Sequence, residues 1–384
     1  MDYAAHQWST GPGAPPGDND GNMMTETMWY PLKLTAHTRQ YTFGERLIVD
    51  RLGKRGLPTE GRIAETWEVS DHGETSGVVQ NGPLAGRRLH DLVVDHPDEL
   101  IGQGWRGAAF PLLAKFLDAS HLLPIHLHAD DETAARKYGQ PNGKAEAWHI
   151  LDCADDASVL VGIRPGLGTA EVRRALLDQR WDDVLIRHPI RPGETVYVPG
   201  GVLHTFGPDT LVFEIQQTSD LGQSAMPADN LGQPFTPEQR AANIEELLDE
   251  LRIEPRPRPI HGLTRYEGPV RIVVGCAGPH FALERWNLSV PFNVPARPDR
   301  CVTLTNLGEP VAISYDGGVE TLGRAESCII PAALPGFTLV PDGKAVVLAC
   351  FVPDFPRDIV TPLRKAGYDD AEIATLGEIP ATAG

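Results

Sequence analysis

His126 and His128 stand two residues apart in "HLLPIHLHADDE" (residues 121–132), on a stretch that otherwise reads as an apolar strand. Residues two apart on a strand share a face, so both imidazoles look one way while Ile125 and Leu127 look the other. A second segment, "GKAEAWHILD" (143–152), alternates so that Lys144, Glu146 and Trp148 share a face and Ala145, Ala147 and His149 share the opposite one. A third, "GETVYVPGGVLHTFG" (193–207), contains a Pro-Gly-Gly turn that delivers His204 at the start of the next strand. Two imidazoles on one strand, a carboxylate on a second and an imidazole on a third can form a four-ligand metal site inside a barrel. Neutral imidazole and carboxylate suit Zn, Fe, Mn or Ni. A lone histidine is more often a hydrogen-bonded core or surface residue. The three segments together and in this order favour a site made by His126, His128, Glu146 and His204.

Lys144 lies two residues from Glu146 and faces the same interior. Repulsion from a nearby metal ion and loss of water would favour its neutral amine, a usable base; the plainer reading is a surface lysine at a frayed strand start. Ser219 and Asp220 follow a strand and are both good caps. Trp148 reads first as core packing, with a sugar-stacking platform as the alternative. Trp67 and Glu68 are similarly ambiguous between a structural and a site role, while His121 and His149 read as structural. Asp130, Asp131 and Glu132 read as an acidic helix start, and Arg136 and Lys137 as a solvated face.

The elements that must position these groups are mostly short strands. Strands are expected at 144–151, 157–163, 194–199 and 210–217, and from about 268 to 352. Helical patches fall at 88–102 and 129–138, with fuller helices at 169–182 (Thr169 as N-cap) and 236–251 (Thr236 as N-cap, Pro237 at N1). Residues 1–27, polar and rich in Gly and Pro, are expected to be disordered. "RIEPRPRPIHG" (252–262) is a stiff linker, and 353–384 a weakly patterned tail with a short helix at 369–376. Short strands punctuated by 39 Gly and 34 Pro point to an all-β barrel or sandwich with helical insertions. The later "GRAESCIIPAALPGFTL" (323–339) repeats the strand-then-Pro-turn shape of 193–206. The interval from Pro199 to His204 recurs from Pro331 to Gly336, which puts glycine at the ligand position. His280 and Glu284 nearby do not have the spacing of a site.

Bulk properties narrow the partners. The chain has 384 residues, enough for two domains. A net charge of −18 opposes nucleic acid and anionic membranes, and an anionic substrate would need a local basic pocket. No apolar run approaches the roughly 18 residues of a membrane span, and the N-terminus lacks a secretory layout. Cys153, Cys276, Cys301, Cys328 and Cys350 are scattered, odd in number and without a CxxC, as expected of reduced thiols in a cytoplasmic protein.

The order and spacing of the three segments resemble a cupin, and more closely the type I mannose-6-phosphate isomerases, a zinc-dependent cupin family. "IAETWEVSDH" (63–72), "FPLLAKFLDASHLLPIHLHADDE" (110–132), "GKAEAWHIL" (143–151) and "VYVPGGVLHTFGPDTLVFEIQQTSD" (196–220) carry the likeness, which spans roughly 30–220. The resemblance implies metal ligands at His126, His128, Glu146 and His204, although the family usually has Gln at the first. It implies Lys144 and Asp220 as proton-handling or substrate-binding groups. The family continues S-D-x-x-x-R, whereas "SDLGQS" places Ser224 where that arginine belongs. A cation expected to stabilise a developing enediolate is therefore missing.

The expected architecture is mostly β: a bicupin with helical insertions. A metal-binding cupin domain would span 28–235, a helix and linker 236–262, and a second, metal-free cupin-like domain 263–352. The expected activity is metal-dependent aldose–ketose isomerisation of a sugar or sugar phosphate, with mannose 6-phosphate and fructose 6-phosphate as the family's pair, through a cis-enediol. Zinc is the expected metal, with Fe, Mn or Ni as alternatives. The rival readings are a metal-dependent cupin oxidoreductase, and a sugar-binding or regulatory protein that kept the metal and lost catalysis. The sequence does not set the oligomeric state.

Overall fold

The computed structural model describes residues 29–380, so the disorder expected for 1–27 lies outside the described residues. Four antiparallel sheets form two barrels of the same strand order. In the first, a six-stranded sheet runs His37–Arg39, Glu65–Val69, Leu112–Ala119, Thr210–Gln217, Glu146–Cys153, Thr195–Val198. It faces a five-stranded sheet running Gln223–Ser224, His126–Leu127, His204–Phe206, Ser158–Ile163, Leu185–Pro189. The second barrel repeats the large sheet as Leu263–Glu267, Val270–Ala277, Ala282–Leu288, Ala345–Phe351, Val302–Asn306, Ser327–Ile330. Its small sheet is Phe292–Pro295, Gly336–Pro341, Val311–Tyr315, Gly318–Leu322. The architecture is a mostly β bicupin. Leu32–Lys33, near the start of the described chain, pair with Cys328 and Ile329 and so extend the second barrel's large sheet.

Alternation decides what each face of the large first sheet meets. Along "TLVFEIQQ" (210–217), Val212 points into the barrel, where it packs with Leu117, Trp148, Ile150, Val159 and Phe206. Leu211, Phe213 and Ile215 point out and pack with Phe116, Phe281, Leu283, Leu348 and Cys350. The two large sheets therefore lie back to back across one apolar layer. Cover on both faces makes Leu211–Phe213 an unbroken apolar run, and Glu214 and Gln216 interrupt it where the inner face turns polar.

Helices decorate this frame. The helix Pro237–Glu250 starts as expected: Thr236 Oγ1 accepts from Gln239 N at 3.2 Å, and Gln239 Oε1 accepts from Thr236 N at 2.9 Å. Its Ile244, Leu247 and Leu248 pack on Val172, Ala175 and Leu176 of the helix Thr169–Leu177. That second helix is capped at Gly168 rather than Thr169, because the Glu171 carboxylate takes the Gly168 N–H at 2.6 Å. The patch at 88–102 is two helices, Leu89–Asp95 and Pro97–Leu100. His96 precedes a proline, which disfavours helical backbone there and forces the break. In 129–138, Asp130 is the cap, accepting from Thr133 N, and wider turns carry Ala134–Tyr138 to Gly139 at φ +61°. The weakly patterned 353–384 is, through residue 380, part of the second barrel. Ile359, Val360, Leu363, Ile373 and Leu376 are buried in its core, and the short helix expected at 369–376 is present as Asp370–Ile373 and Ala374–Leu376. Asp358, with a side chain only 2% exposed, is held by Arg297 at 2.9 Å, Arg300 at 2.7 Å and Arg357 at 3.0 Å.

Candidate metal centre

The chain brings His126, His128, Glu146 and His204 together inside the first barrel, with one ligand atom from each lying within 4.8 Å of all the others. They form the one such group among the described residues. His126 and His204 face each other across paired strands, Nε2 to Nε2 at 3.1 Å. Glu146 Oε1 lies 3.2 Å from His204 Nε2, and its Oε2 lies 3.1 Å from His128 Nε2. The strand bearing His126 is shorter than expected and ends at Leu127, yet His128 still turns to the same side, its ring centroid 4.7 Å from that of His126. The Pro-Gly-Gly turn explains how His204 arrives. Gly201, at φ +80°, donates its N–H to His128 O at 2.6 Å. A Cβ on Gly200 would stand 2.7 Å from Asp130 Cα. Only glycines let this turn lie on the backbone that follows the paired histidines.

Hydrogen bonding prepares the imidazoles for a cation. His126, His128 and His204 each place Nδ1 2.7 Å from a backbone carbonyl, of Pro124, Leu221 and Val202 respectively. A carbonyl only accepts, so each Nδ1 carries the proton, and Nε2 is the nitrogen each ring turns inward as a donor to a metal. Two lone pairs 3.1 Å apart cannot bond one another; a shared cation reconciles them. Burial, with the neighbouring His204 and His128, pushes His126 well below its usual range, and burial with the Lys144 ammonium brings His128 down to about 4. Burial alone would raise the Glu146 carboxyl, but Lys144 and His128 hold it well below the usual carboxylate range. Neutral imidazoles and one carboxylate, shielded from water, fit a divalent transition ion.

Lys144 is no frayed surface residue. It is buried, with Nζ 2.8 Å from Glu146 Oε2 and 2.9 Å from His128 Nε2. Trp148 does more than pack: its Nε1 donates to Glu146 Oε1 at 2.9 Å and orients that carboxylate. Asp220 is exposed and outside the cluster, and its charge is felt instead at Lys115, His72 and Tyr41. Ser224 pairs with His126 on the adjoining strand. Glu68 points away from the barrel into an ion pair with Lys54 at 2.7 Å, His121 lies 3.2 Å from Glu45, and His149 bonds Thr195 at 3.0 Å.

A second polar cluster went unread in the sequence. Cross-strand register sets Trp67, Lys115, Glu214 and Trp148 in one row on the inner face. Lys115, 2% exposed, lies 3.6 Å from Glu65, 3.4 Å from Glu214 and 4.7 Å above the Trp67 ring. These partners raise its pKa above the ordinary lysine value against the opposing effect of burial. Burial, with Glu146 nearby, pushes Glu214 up to about 7. Two signals pointed here: a lysine alternating with Leu113 and Leu117 in mid-strand, and the recurrence of Glu-x-Trp. Trp67 donates to Glu65 at 2.6 Å, and Trp286 to Glu284 at 2.7 Å, as Trp148 does to Glu146.

The second barrel lacks this chemistry at the matching positions. Gly336 opens its strand and faces Pro295 as His204 faces His126, and Val302 faces Ile330 as Glu146 faces Val198. Glycine thus stands in the ligand position, as the Pro331–Gly336 interval implied.

Residues 32–151 match the family described as phosphomannose isomerase type I, catalytic domain. The chain is 34% identical to the probable mannose-6-phosphate isomerase GmuF of Bacillus subtilis (strain 168), over 68% of this chain and 81% of that protein. It is 31% identical to the mannose-6-phosphate isomerase ManA of the same organism, over 76% of this chain and 90% of that one. The crystal structure of the mannose 6-phosphate isomerase from Bacillus subtilis superposes with a TM-score of 0.74 at 25% identity, covering 83% of this chain and 99% of that chain. Among the described residues no helix is long and apolar enough to cross a membrane.

Proposed function

Because the chain belongs to the type I mannose-6-phosphate isomerase family, and so to the aldose–ketose isomerases, we propose that it interconverts mannose 6-phosphate and fructose 6-phosphate through a cis-enediol. We assign the metal to zinc and its ligands to His126, His128, Glu146 and His204. The supporting observation is the convergence of three inward imidazole lone pairs on a buried anionic carboxylate. When bound, such an ion polarises the sugar oxygens at C1 and C2 and acidifies the C2 proton.

The chain's own groups then move the proton. Lys144 is the stronger candidate for this task, because its Nζ lies within hydrogen-bond reach of two ligand residues and so beside C1 and C2 of a bound substrate. It takes the C2 proton as the C1–C2 double bond of the enediol forms and returns a proton to C1 as the enediol collapses, while one proton passes from O2 to O1. Asp220, exposed and near Lys115, is assigned to the sugar's outer hydroxyls. Trp148 keeps the Glu146 carboxylate fixed, and the barrel walls keep water from the enediol.

The test is metal analysis of the purified protein, followed by exchange of the C2 proton in heavy water for mannose 6-phosphate, mannose and other sugar phosphates. Zinc with exchange fastest for mannose 6-phosphate is the expected result. Saturable sugar binding without exchange in fully metal-loaded protein overturns the proposal, and oxygen consumption with bound iron points to the oxidoreductase instead.

A further inference from the structure

A substrate bearing a phosphate must find a cation in this barrel, and the chain as a whole, at −18, offers none by its average charge. Ser224 supplies no charge beside His126. Three long cations share the inner face of the large sheet. Lys144 is engaged with Glu146 and His128. Lys115 is enclosed by Glu65 and Glu214. Arg39 differs. Its strand register sets it opposite Glu65, on the same face as Trp67 and Lys115. Its guanidinium lies 4.4 Å over the Trp67 ring, and among the described residues it makes no hydrogen bond or ion pair. Its Nε is buried without a partner, while the residue as a whole is half-exposed, as befits the lip of the barrel.

Its surroundings suit the far end of a substrate. His72 and Tyr41 feel the Arg39 charge, and both also feel Asp220. Just past Arg39, Thr42 N donates to Asn230 O at 3.0 Å. The edge strand bearing Arg39 is thus joined to the segment that follows Ser224. Trp67 carries the guanidinium over its ring, and the N–H groups, without a partner among the described residues, are free for a two-pronged contact with phosphate oxygens.

We propose that Arg39 is the phosphate-binding cation of this site, taking the phosphate end of the sugar while the metal centre takes C1 and C2. The assignment rests on the sugar-phosphate reading above. It is tested with Arg39→Gln and Arg39→Lys in the metal-loaded, full-length protein, both checked by thermal melting. In R39Q the ratio of kcat/KM for mannose 6-phosphate to that for mannose falls about 10- to 100-fold, the worth of a charge-assisted hydrogen bond. R39K recovers part of the ratio. A ratio unchanged in R39Q, or an equal loss on both sugars, overturns the proposal and leaves Arg39 a packing partner of Trp67. Failure of the isomerase reading shows separately, as wild-type protein with no exchange on any sugar phosphate. In that case calorimetry with inorganic phosphate alone decides for Arg39: binding at least tenfold weaker in R39Q supports it, and equal binding by wild type and R39Q refutes it.

Discussion

Replacing Glu146 by Gln removes one negative charge from the metal centre and almost nothing else. The side chain is 1% exposed, and the amide oxygen can still accept from Trp148 Nε1, so the carbon skeleton stays where it is. In the native protein the carboxylate cancels the Lys144 ammonium 2.8 Å away, and His126 and His128 are held neutral, so the carboxylate is what offsets positive charge when a divalent ion enters. In the variant it meets an uncompensated ammonium. At about 4 Å and an effective dielectric near 20, each unit-charge pair is worth about 4 kcal/mol, so the lost attraction for a divalent ion is about 8 kcal/mol. The glutamine oxygen can still coordinate and returns part of this, and a net loss of about 4 kcal/mol, roughly a thousandfold in affinity, remains. The assay is the metal-to-protein ratio after dialysis, with melting temperature measured as metal is added back. Wild type retains metal and is stabilised by it, whereas E146Q elutes empty and needs far more metal for the same stabilisation. Full metal content and undiminished C2 exchange in E146Q would refute the assignment of this carboxylate.

Three further outcomes follow from the same structure. His126→Gln keeps an oxygen donor facing His204 and is expected to bind metal within about tenfold of wild type, a cost of roughly 1.4 kcal/mol, while His126→Ala loses far more; titration with a competing chelator separates the two. His149 is buried against Thr195, and burial, then the Arg285 charge, lowers its pKa to about 3. Its unfolded form binds a proton below about 6.5, so stability is fully present above that pH and falls as pH drops toward 3; about 3 kcal/mol is lost by pH 4.5, and His149→Gln flattens that part of the urea-denaturation profile. Asp358→Ala leaves the Arg297, Arg300 and Arg357 guanidiniums without their shared anion, at a cost of about 3–5 kcal/mol, read as a lower urea midpoint at unchanged slope; an unchanged midpoint would mean the tail is not anchored there.

The metal cluster was legible because its signal is local. A His-x-His pair, an acid in an alternating strand and a Pro-Gly-Gly turn each fix one donor by backbone rules spanning a few residues. The Lys115 cluster was harder, because it depends on cross-strand register. Nothing near Lys115 in the chain says that Glu214, 99 positions away, sits opposite it. Arg39 was illegible for the same reason, together with the fact that an arginine on an edge strand usually faces solvent. The helix starts show the opposite limit. Thr236 could be read as a cap from its capping box, but at 168–171 a glycine and a glutamate do the work that Thr169 was expected to do, and a cap rule based on side-chain oxygens passes over glycine.

The two barrels share a strand order, yet one encloses a cluster of charged and imidazole side chains and the other apolar ones. The difference can be traced to a few positions. Where the first barrel has His126, Glu146 and His204, the second has Pro295, Val302 and Gly336, and Ile359, Val360 and Leu363 of the C-terminal segment are buried in its core. A buried charge cluster is costly to hold unless its surroundings cannot collapse onto it. The first barrel's large sheet is backed by the apolar layer it shares with the second barrel, from Phe116 and Phe213 on one side to Phe281 and Leu348 on the other. That layer fixes the strand register on which the convergence of Glu146, Lys144 and Lys115 depends. The second barrel's contribution to the chemistry is therefore rigidity. Asp358→Ala, which loosens the C-terminal segment about 20 residues of chain before Tyr197's partner Glu378, should lower the melting temperature of the whole chain while leaving metal stoichiometry intact; loss of metal at a temperature where the fold persists would show that the second barrel acts on the site directly.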